Sequence, residues 1–338
     1  MSGLKFGVMA NKVIEQKTLV LGTAQWGWTV SKPAAFKILD AWIGAGMREI
    51  DCATNYPINK IPADFRASEN ILFEYLRAHG LHDMHITMKI GSLDNMRSPV
   101  SNLAPSFVMM MGEEYYRLLG ENLRCLMFHW DNRDDASAIR SSLKALKYLQ
   151  QEMNIDAGIS GVAHPDVYAQ ANTDCGLTFD IQLKHNMLQS DLGRYRPLFT
   201  VSPNDSAGNS GTAGHRCFAY GINAGGIKLD AVYGAESTFL ARGGQPEKAE
   251  KIARQISSKL PDWNTAFVRP PLKTMNQIGL IYAGLNPNIQ GIVLGVSTTD
   301  QLRQTLDFWQ NPGTFDYSDV FDALEKIARS PLPEAGNY

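Results

Sequence analysis

The chain has 338 residues, 44% hydrophobic and 20% charged, and its 32 basic against 34 acidic residues leave a formal charge of −2. That length suits one large α/β domain or two ordinary ones, and the balanced, scattered charge lacks the basic field that nucleic acid or an anionic membrane surface requires. No apolar run approaches the roughly 20 residues that span a bilayer, the stretch 1–18 has no secretory pattern, and Cys52, Cys125, Cys175 and Cys217 form no C-x-x-C pair, so a soluble cytoplasmic protein with free thiols is expected.

Short apolar runs alternate with longer amphipathic stretches along the whole chain. The runs are "LVLGT" (19–23), "EIDCA" (49–53), "HITMKIG" (85–91), "RCLMFHW" (124–130), "IDAGISG" (155–161), "FDIQLKHN" (179–186), "RCFAYG" (216–221) and "GIVLG" (291–295). Their short length and apolar character, set between helix-length stretches, predict eight strands. Segments 34–45, 68–79, 134–151 and 299–309 repeat apolar residues with a period near 3.6, which predicts helices. Ser31 with Pro33, Asp134, and Thr299 with Asp300 stand where helix caps belong.

Eight strands separated by helices predict a single (β/α)₈ TIM barrel over residues 1–338, in the α/β class. The competing open, doubly wound sheet usually carries G-x-G-x-x-G after its first strand. Here "LGTAQWG" sets Gly22 and Gly27 too far apart for that turn. Residues 200–245, rich in Gly, Ser, Asn and Pro, read as long loops around the seventh strand, forming a lid or substrate loop at the C-terminal face.

In a barrel, side chains at the carboxyl ends of the strands meet at one mouth. Those ends hold Asp51, Lys89 and His129, with Tyr56 in the loop just after the second strand. Singly, Asp51, Lys89 and His129 each have an ordinary reading: a turn cap, a snorkelling lysine, a hydrogen-bonded core histidine. Together they make a set. Lys89 in "ITMKIG" and His129 in "LMFHW" sit in apolar strands, where an unpaired charge is costly, and Asp51 on the adjacent strand can neutralise Lys89. An ammonium beside Tyr56 is expected to lower the phenol's pKa, and His129 can orient a substrate oxygen. The set suits protonation of an oxygen that gains charge as a hydride reaches its carbon. There is no G-x-S-x-G elbow for acyl transfer, and the dispersed histidines offer no H-x-H or H-E-x-x-H pair, so no metal site is expected.

The chain resembles the aldo-keto reductase family, nicotinamide-dependent (β/α)₈ barrels with an Asp, Tyr, Lys, His tetrad. "LVLGTAQWG" is similar to the family's first strand, "REIDCATNY" to I-D-T-A-x-x-Y, "ITMKIG" to T-K-x-G and "LMFHW" to L-H-W. "AGISGV", "DIQLKHNML", "CFAYGI" and "IVLGVSTTDQLRQTL" continue the likeness in order over roughly residues 18 to 310. The resemblance implies Tyr56 as general acid/base, Lys89 and Asp51 as its tuning pair, and His129 as the group that positions the carbonyl. It further implies cofactor contacts from Gly22, Thr23, Ser160 and Gln182 (the last two on the nicotinamide carboxamide), Tyr220 (stacked on its ring), and Gly295, Ser297, Gln301 and Thr305 (around the adenosine phosphate).

The departures fall beside the site. Pro57 follows the tyrosine where glycine is usual, Gly161 replaces an asparagine, and Thr305 stands where an asparagine commonly holds the adenine. Arg303 is the only cation near the segment that would face a 2′-phosphate. The resemblance favours NADP(H) over NAD(H), with weak discrimination. Trp26, Trp28 and Trp130 follow strand ends and could stack on a sugar face or bound aldehyde, and the first strand looks like those of bacterial relatives in sugar and polysaccharide metabolism. The expected activity is therefore interconversion of a small-molecule carbonyl and its alcohol by a monomer or homo-oligomer. The alternatives are a nicotinamide-binding sensor without turnover and a Schiff-base lyase using Lys89.

Overall fold

A computed structural model describes residues 17–199 and 214–329, apart from 225, 231, 234–237 and 242–245. Strands β1 (Thr18–Gly22), β2 (Glu49–Ala53), β3 (His85–Ile90), β4 (Leu123–His129), β5 (Asp156–Ser160), β6 (Phe179–Lys184), β7 (Arg216–Tyr220) and β8 (Gly291–Leu294) pair in parallel in chain order. β8 closes against β1 with Leu21 opposite Leu294, completing a barrel. The longer helices are α1 (Lys32–Gly44), α2 (Ala67–His79), α3 (Pro105–Leu119), α4 (Ala136–Met153), α5 (Pro165–Asn172), α6 (Pro246–Thr265), α7 (Met275–Gly284), α8 (Thr299–Trp309) and α9 (Ser318–Arg329).

Alternation along each strand sorts the two faces. Outward residues such as Leu21, Ile50, Met88, Phe128, Ile159, Ile181 and Ile292 join the helices in one continuous core. Inward, Val20, Phe218 and Val293 form a separate apolar cluster against which Tyr220 packs. At the barrel's N-terminal end Arg216 pairs with Asp180 at 2.7 Å and Asp156 at 2.9 Å, tying together the starts of β5, β6 and β7. The polar side chains of the predicted site are left to the other end.

Each of the eight strands predicted from sequence is present within two residues, and the four predicted helices are α1, α2, α4 and α8. Two caps differ. Asp135, one residue after the predicted Asp134, caps α4 by accepting from Ser137 N at 2.8 Å and Ala138 N at 3.2 Å. Thr298 rather than Thr299 caps α8, accepting from Gln301 N at 3.2 Å.

α3, α5, α6, α7 and α9 were not among the predicted segments, and two of them escaped the periodicity argument for opposite reasons. α7 is buried on nearly every side, so it has no polar face to alternate with. α3 buries only Val108, Gly112, Tyr115 and Leu119, and Gly112 reads as a breaker. In three dimensions that glycine permits close helix approach, because a Cβ there would collide with the Leu149 side chain of α4. Most of the expected loop region 200–245 lies outside the described residues; within it, β7 and a single helical turn at Thr238–Ala241 are seen. Among the described residues no helix is long and apolar enough to cross a membrane, and no group of acidic, His or Cys side chains could hold a metal ion.

Candidate active site

The barrel brings Asp51 and Lys89 together because β2 and β3 are neighbours in register, with Ala53 opposite Lys89. Lys89 Nζ lies 2.7 Å from Asp51 Oδ2, and each side chain is 2% exposed. Gln182 on β6 closes a triangle: its Oε1 accepts from Lys89 Nζ at 3.0 Å and its Nε2 donates to Asp51 Oδ1 at 2.6 Å. Burial works against the ammonium, but Asp51 and Tyr56 together more than offset it, so the Lys89 pKa is raised and the side chain stays charged. Thr23 anchors the pair from below, donating both its hydroxyl and its amide N–H to the Asp51 backbone carbonyl at 2.9 and 3.1 Å.

Tyr56 is brought to this pair by a short clamped loop. Its N–H donates to the Ala53 carbonyl at 3.2 Å, and its carbonyl accepts from Ser68 N, in the first turn of α2, at 3.2 Å. Lys89 Nζ sits 4.9 Å from the Tyr56 ring centroid, and the His129 ring meets Tyr56 edge-on at 5.8 Å and 88°. The sequence-based expectation of a lowered phenol pKa is corrected here. Burial raises it more than Lys89 lowers it, so Tyr56 is held above its ordinary value of 10.0. A phenol in that state is protonated at neutral pH, which is the form a proton donor needs.

His129 closes β4 opposite Ser160 of β5, and Ser160 in turn faces Gln182 of β6. Burial, assisted by the nearby Lys89 charge, pushes the His129 pKa well below 6.5. The ring is therefore neutral and presents one N–H. Packing holds it: Nδ1 is buried with no hydrogen-bond partner, and the Trp130 ring lies 4.7 Å away at 37°.

The three candidate tryptophans separate. Trp26 is 0% exposed within the core behind β1, so the expectation that it meets a substrate is corrected. Trp28 and Trp130 are half-buried. Trp130 has a left-handed φ of 55°, and Gly161, at φ 62°, is the residue against which its ring lies: a Cβ on Gly161 would come 2.6 Å from Trp130 Cδ1. Asp131, fully buried, pins this loop. It accepts from the Tyr168 hydroxyl at 2.5 Å and from Arg133 Nη2 at 2.7 Å, and its carbonyl accepts from Ala163 N at 2.8 Å. Asp131 was not singled out from sequence, because apart from Arg133 its partners, Tyr168 on α5 and Ala163 in the loop after β5, lie more than thirty residues along the chain.

A cleft of about 780 Å³ runs beside the end of β8, and Gly295, Ser297, Gln301 and Thr305, all singled out from sequence, line it. A Cβ on Gly295 would meet nothing within 4 Å, so the backbone there is open to a ligand. The cleft reaches Val293, which packs with Tyr220 inside the barrel, so it leads toward the tetrad without including it. Its size is ordinary for a small-molecule site, and its wall is mainly neutral polar groups with Gly and Pro, beside the N-terminus of α8, which favours phosphate. These residues fit a dinucleotide. Sequence reasoning missed most of the wall, including Asn223 in the loop after β7, Lys273 and Asn276 around the start of α7, and Asp307 within α8, which reach the cleft through tertiary packing and carry no local signal. Arg303, the cation expected here, is 67% exposed beside Asp300 at 3.5 Å and is not part of the wall. Thr305 is 2% exposed, its hydroxyl donating to Gln301 O at 2.7 Å, so it supports the wall more than it faces the space.

Residues 18–207 match the profile of the Aldo/keto reductase family. Among solved structures the fold is similar to that of the aldo-keto reductase AKR11C1 from Bacillus halodurans in its holo form, with a TM-score of 0.65 at 15% identity over 94% of each chain. No curated protein matches.

Proposed function

Given that the chain belongs to the aldo/keto reductase family, we propose that it interconverts a small carbonyl compound and its alcohol at the Tyr56 site, as an oxidoreductase acting on CH–OH groups. The family and fold imply nicotinamide-dependent carbonyl chemistry. The observation that carries the assignment of residues is the buried Tyr56, Lys89, Asp51 cluster at the carboxyl ends of adjacent strands, with neutral His129 at its edge.

A reduced nicotinamide, when bound, supplies the hydride. Tyr56, protonated through neutral pH, gives its proton to the carbonyl oxygen. The Lys89 ammonium stabilises the phenolate that remains, and Asp51 and Gln182 keep that ammonium aimed. His129 donates its N–H to the same substrate oxygen and fixes its direction. Lys89 is held as an ammonium by Asp51, which withholds the free amine that a Schiff base requires. A cofactor sensor would have no use for a proton donor in this setting.

The preference for NADP(H) over NAD(H) rests on Lys273, the cation on the cleft wall, as the partner of a 2′-phosphate. A sugar-like substrate is supported by the Trp28 and Trp130 faces, both accessible in part. The buried free thiols of Cys52, Cys125, Cys175 and Cys217 suit a reducing cytoplasm. The test is Tyr56→Phe: carbonyl reduction with NADPH falls about 10²- to 10⁴-fold, while NADPH still quenches protein fluorescence at wild-type concentrations. Unchanged turnover in that variant rejects the assignment. A panel of aldoses and aromatic aldehydes decides the substrate class.

A further inference from the structure

One wall of the cleft is built from a chain of hydrogen bonds whose polarity is settled by its last member. The Gln301 backbone carbonyl can only accept, so the Thr305 hydroxyl, 2.7 Å away, donates to it. Thr305 Oγ1 therefore accepts from Asn276 Nδ2 at 2.8 Å, which fixes the Asn276 amide with its oxygen on the other side. That oxygen accepts from Asn223 Nδ2 at 3.0 Å. Asn223, Asn276, Thr305 and Gln301 all line the cleft.

Asn276 is thus immobilised with capacity to spare. A primary amide has two N–H donors and two carbonyl lone pairs, and these two bonds take one of each. Its backbone is fixed as well, since it is the second residue of α7 within the capping box formed by Thr274 and Gln277. A rigid amide that keeps one N–H and one lone pair free on the wall of the cleft can both donate and accept, which is what an adenine edge asks for, where a ring nitrogen accepts beside the donating 6-amino group. Thr305, by contrast, has its one proton committed and is buried.

Resting on the dinucleotide reading above, we infer that Asn276 is the residue that recognises the adenine base, with Thr305 as its positioning partner. The two positions act as a unit: the amide is carried by α7 while α8 supplies only the hydroxyl that aims it.

The test titrates protein fluorescence with NADPH and with its 1,N⁶-etheno derivative, in which a bridge removes both the amino donor and the adjacent ring acceptor. The wild type binds NADPH about tenfold more tightly than the etheno form. Asn276→Ala and Thr305→Val each bind the two forms with about equal affinity, thermal unfolding verifying that both variants are folded; should Asn276→Ala not fold, Thr305→Val alone decides. Discrimination retained by the folded variants, or absent from a wild type that binds both forms, overturns this inference and leaves the proposed function standing. A wild type that binds neither form overturns both.

Discussion

The side chains of Gln182 and Asp51, 131 positions apart, are joined across the barrel by a 2.6 Å hydrogen bond. The same amide accepts from Lys89, so Gln182 is bound into the ion pair that sits under Tyr56. The resemblance assigns this residue to the nicotinamide carboxamide, yet both ends of its side chain are already engaged. Gln182→Leu removes an acceptor from Lys89 and a donor from Asp51 inside a dry site. It is expected to cost about 1–3 kcal/mol of stability, and to lower kcat more than it raises KM, since Lys89 is then less well aimed. Thermal unfolding and steady-state kinetics read the two effects; a change confined to cofactor affinity contradicts them.

The Lys89 and Asp51 pair predicts a non-additive mutant cycle. Lys89→Met strands a carboxylate that is 2% exposed, and the cost of breaking a buried pair this way is about 3–5 kcal/mol. Adding Asp51→Leu removes the stranded charge and restores part of the stability while leaving reduction abolished. Denaturant titration of the two single variants and the double variant measures the recovery. Additive losses would mean that the pair is not coupled in solution.

The pH dependence separates rate from stability. Because Tyr56 is held above 10.0, the rate of carbonyl reduction is expected to be flat through neutral pH and to fall only in the alkaline range, and alcohol oxidation to rise as pH increases. The kcat/KM profile should show no inflection near 6.5 from His129, whose pKa is depressed.

Stability follows from the histidines with lowered values. His129 lies well below 6.5 and burial takes His185 down to about 4. Between those values and 6.5 the unfolded chain binds protons that the folded chain does not, so stability rises with pH there. Acidification from 6.5 toward 4 is therefore expected to lower Tm progressively, and His185→Gln to shallow that slope. A Tm independent of pH across this window contradicts the buried neutral assignment.

Gly161→Ala tests the wall beside His129. The added Cβ meets Trp130 Cδ1 at 2.6 Å at a left-handed φ of 62°, and left-handed backbone costs an L-residue about 1–2 kcal/mol. The Trp130 ring must move. The expected outcome is a several-fold rise in KM for the carbonyl with little change in NADPH affinity, read by kinetics and fluorescence titration.

The amino-acid sequence by itself determined the strand count and the mouth. A strand's alternation and its last polar residue are local features, so Asp51, Tyr56, Lys89 and His129 could each be read from a window of a few residues. Cys125, Met127 and His129 alternate inward with apolar outward neighbours, and no distant information is needed to see that.

Only the tertiary structure decided what depends on closure and on depth. Gln182 meets Asp51 because β6 and β2 face each other across the barrel interior, and Asn276 meets Thr305 because α7 and α8 pack side by side beside β8. Trp26 follows a strand end yet is wholly buried, since whether a ring faces solvent or core depends on the helices that cover it. The direction of the Tyr56 pKa had the same origin. The Lys89 charge and burial act in opposite directions, and burial, the larger of the two, is set by the depth of the site, which no local pattern encodes.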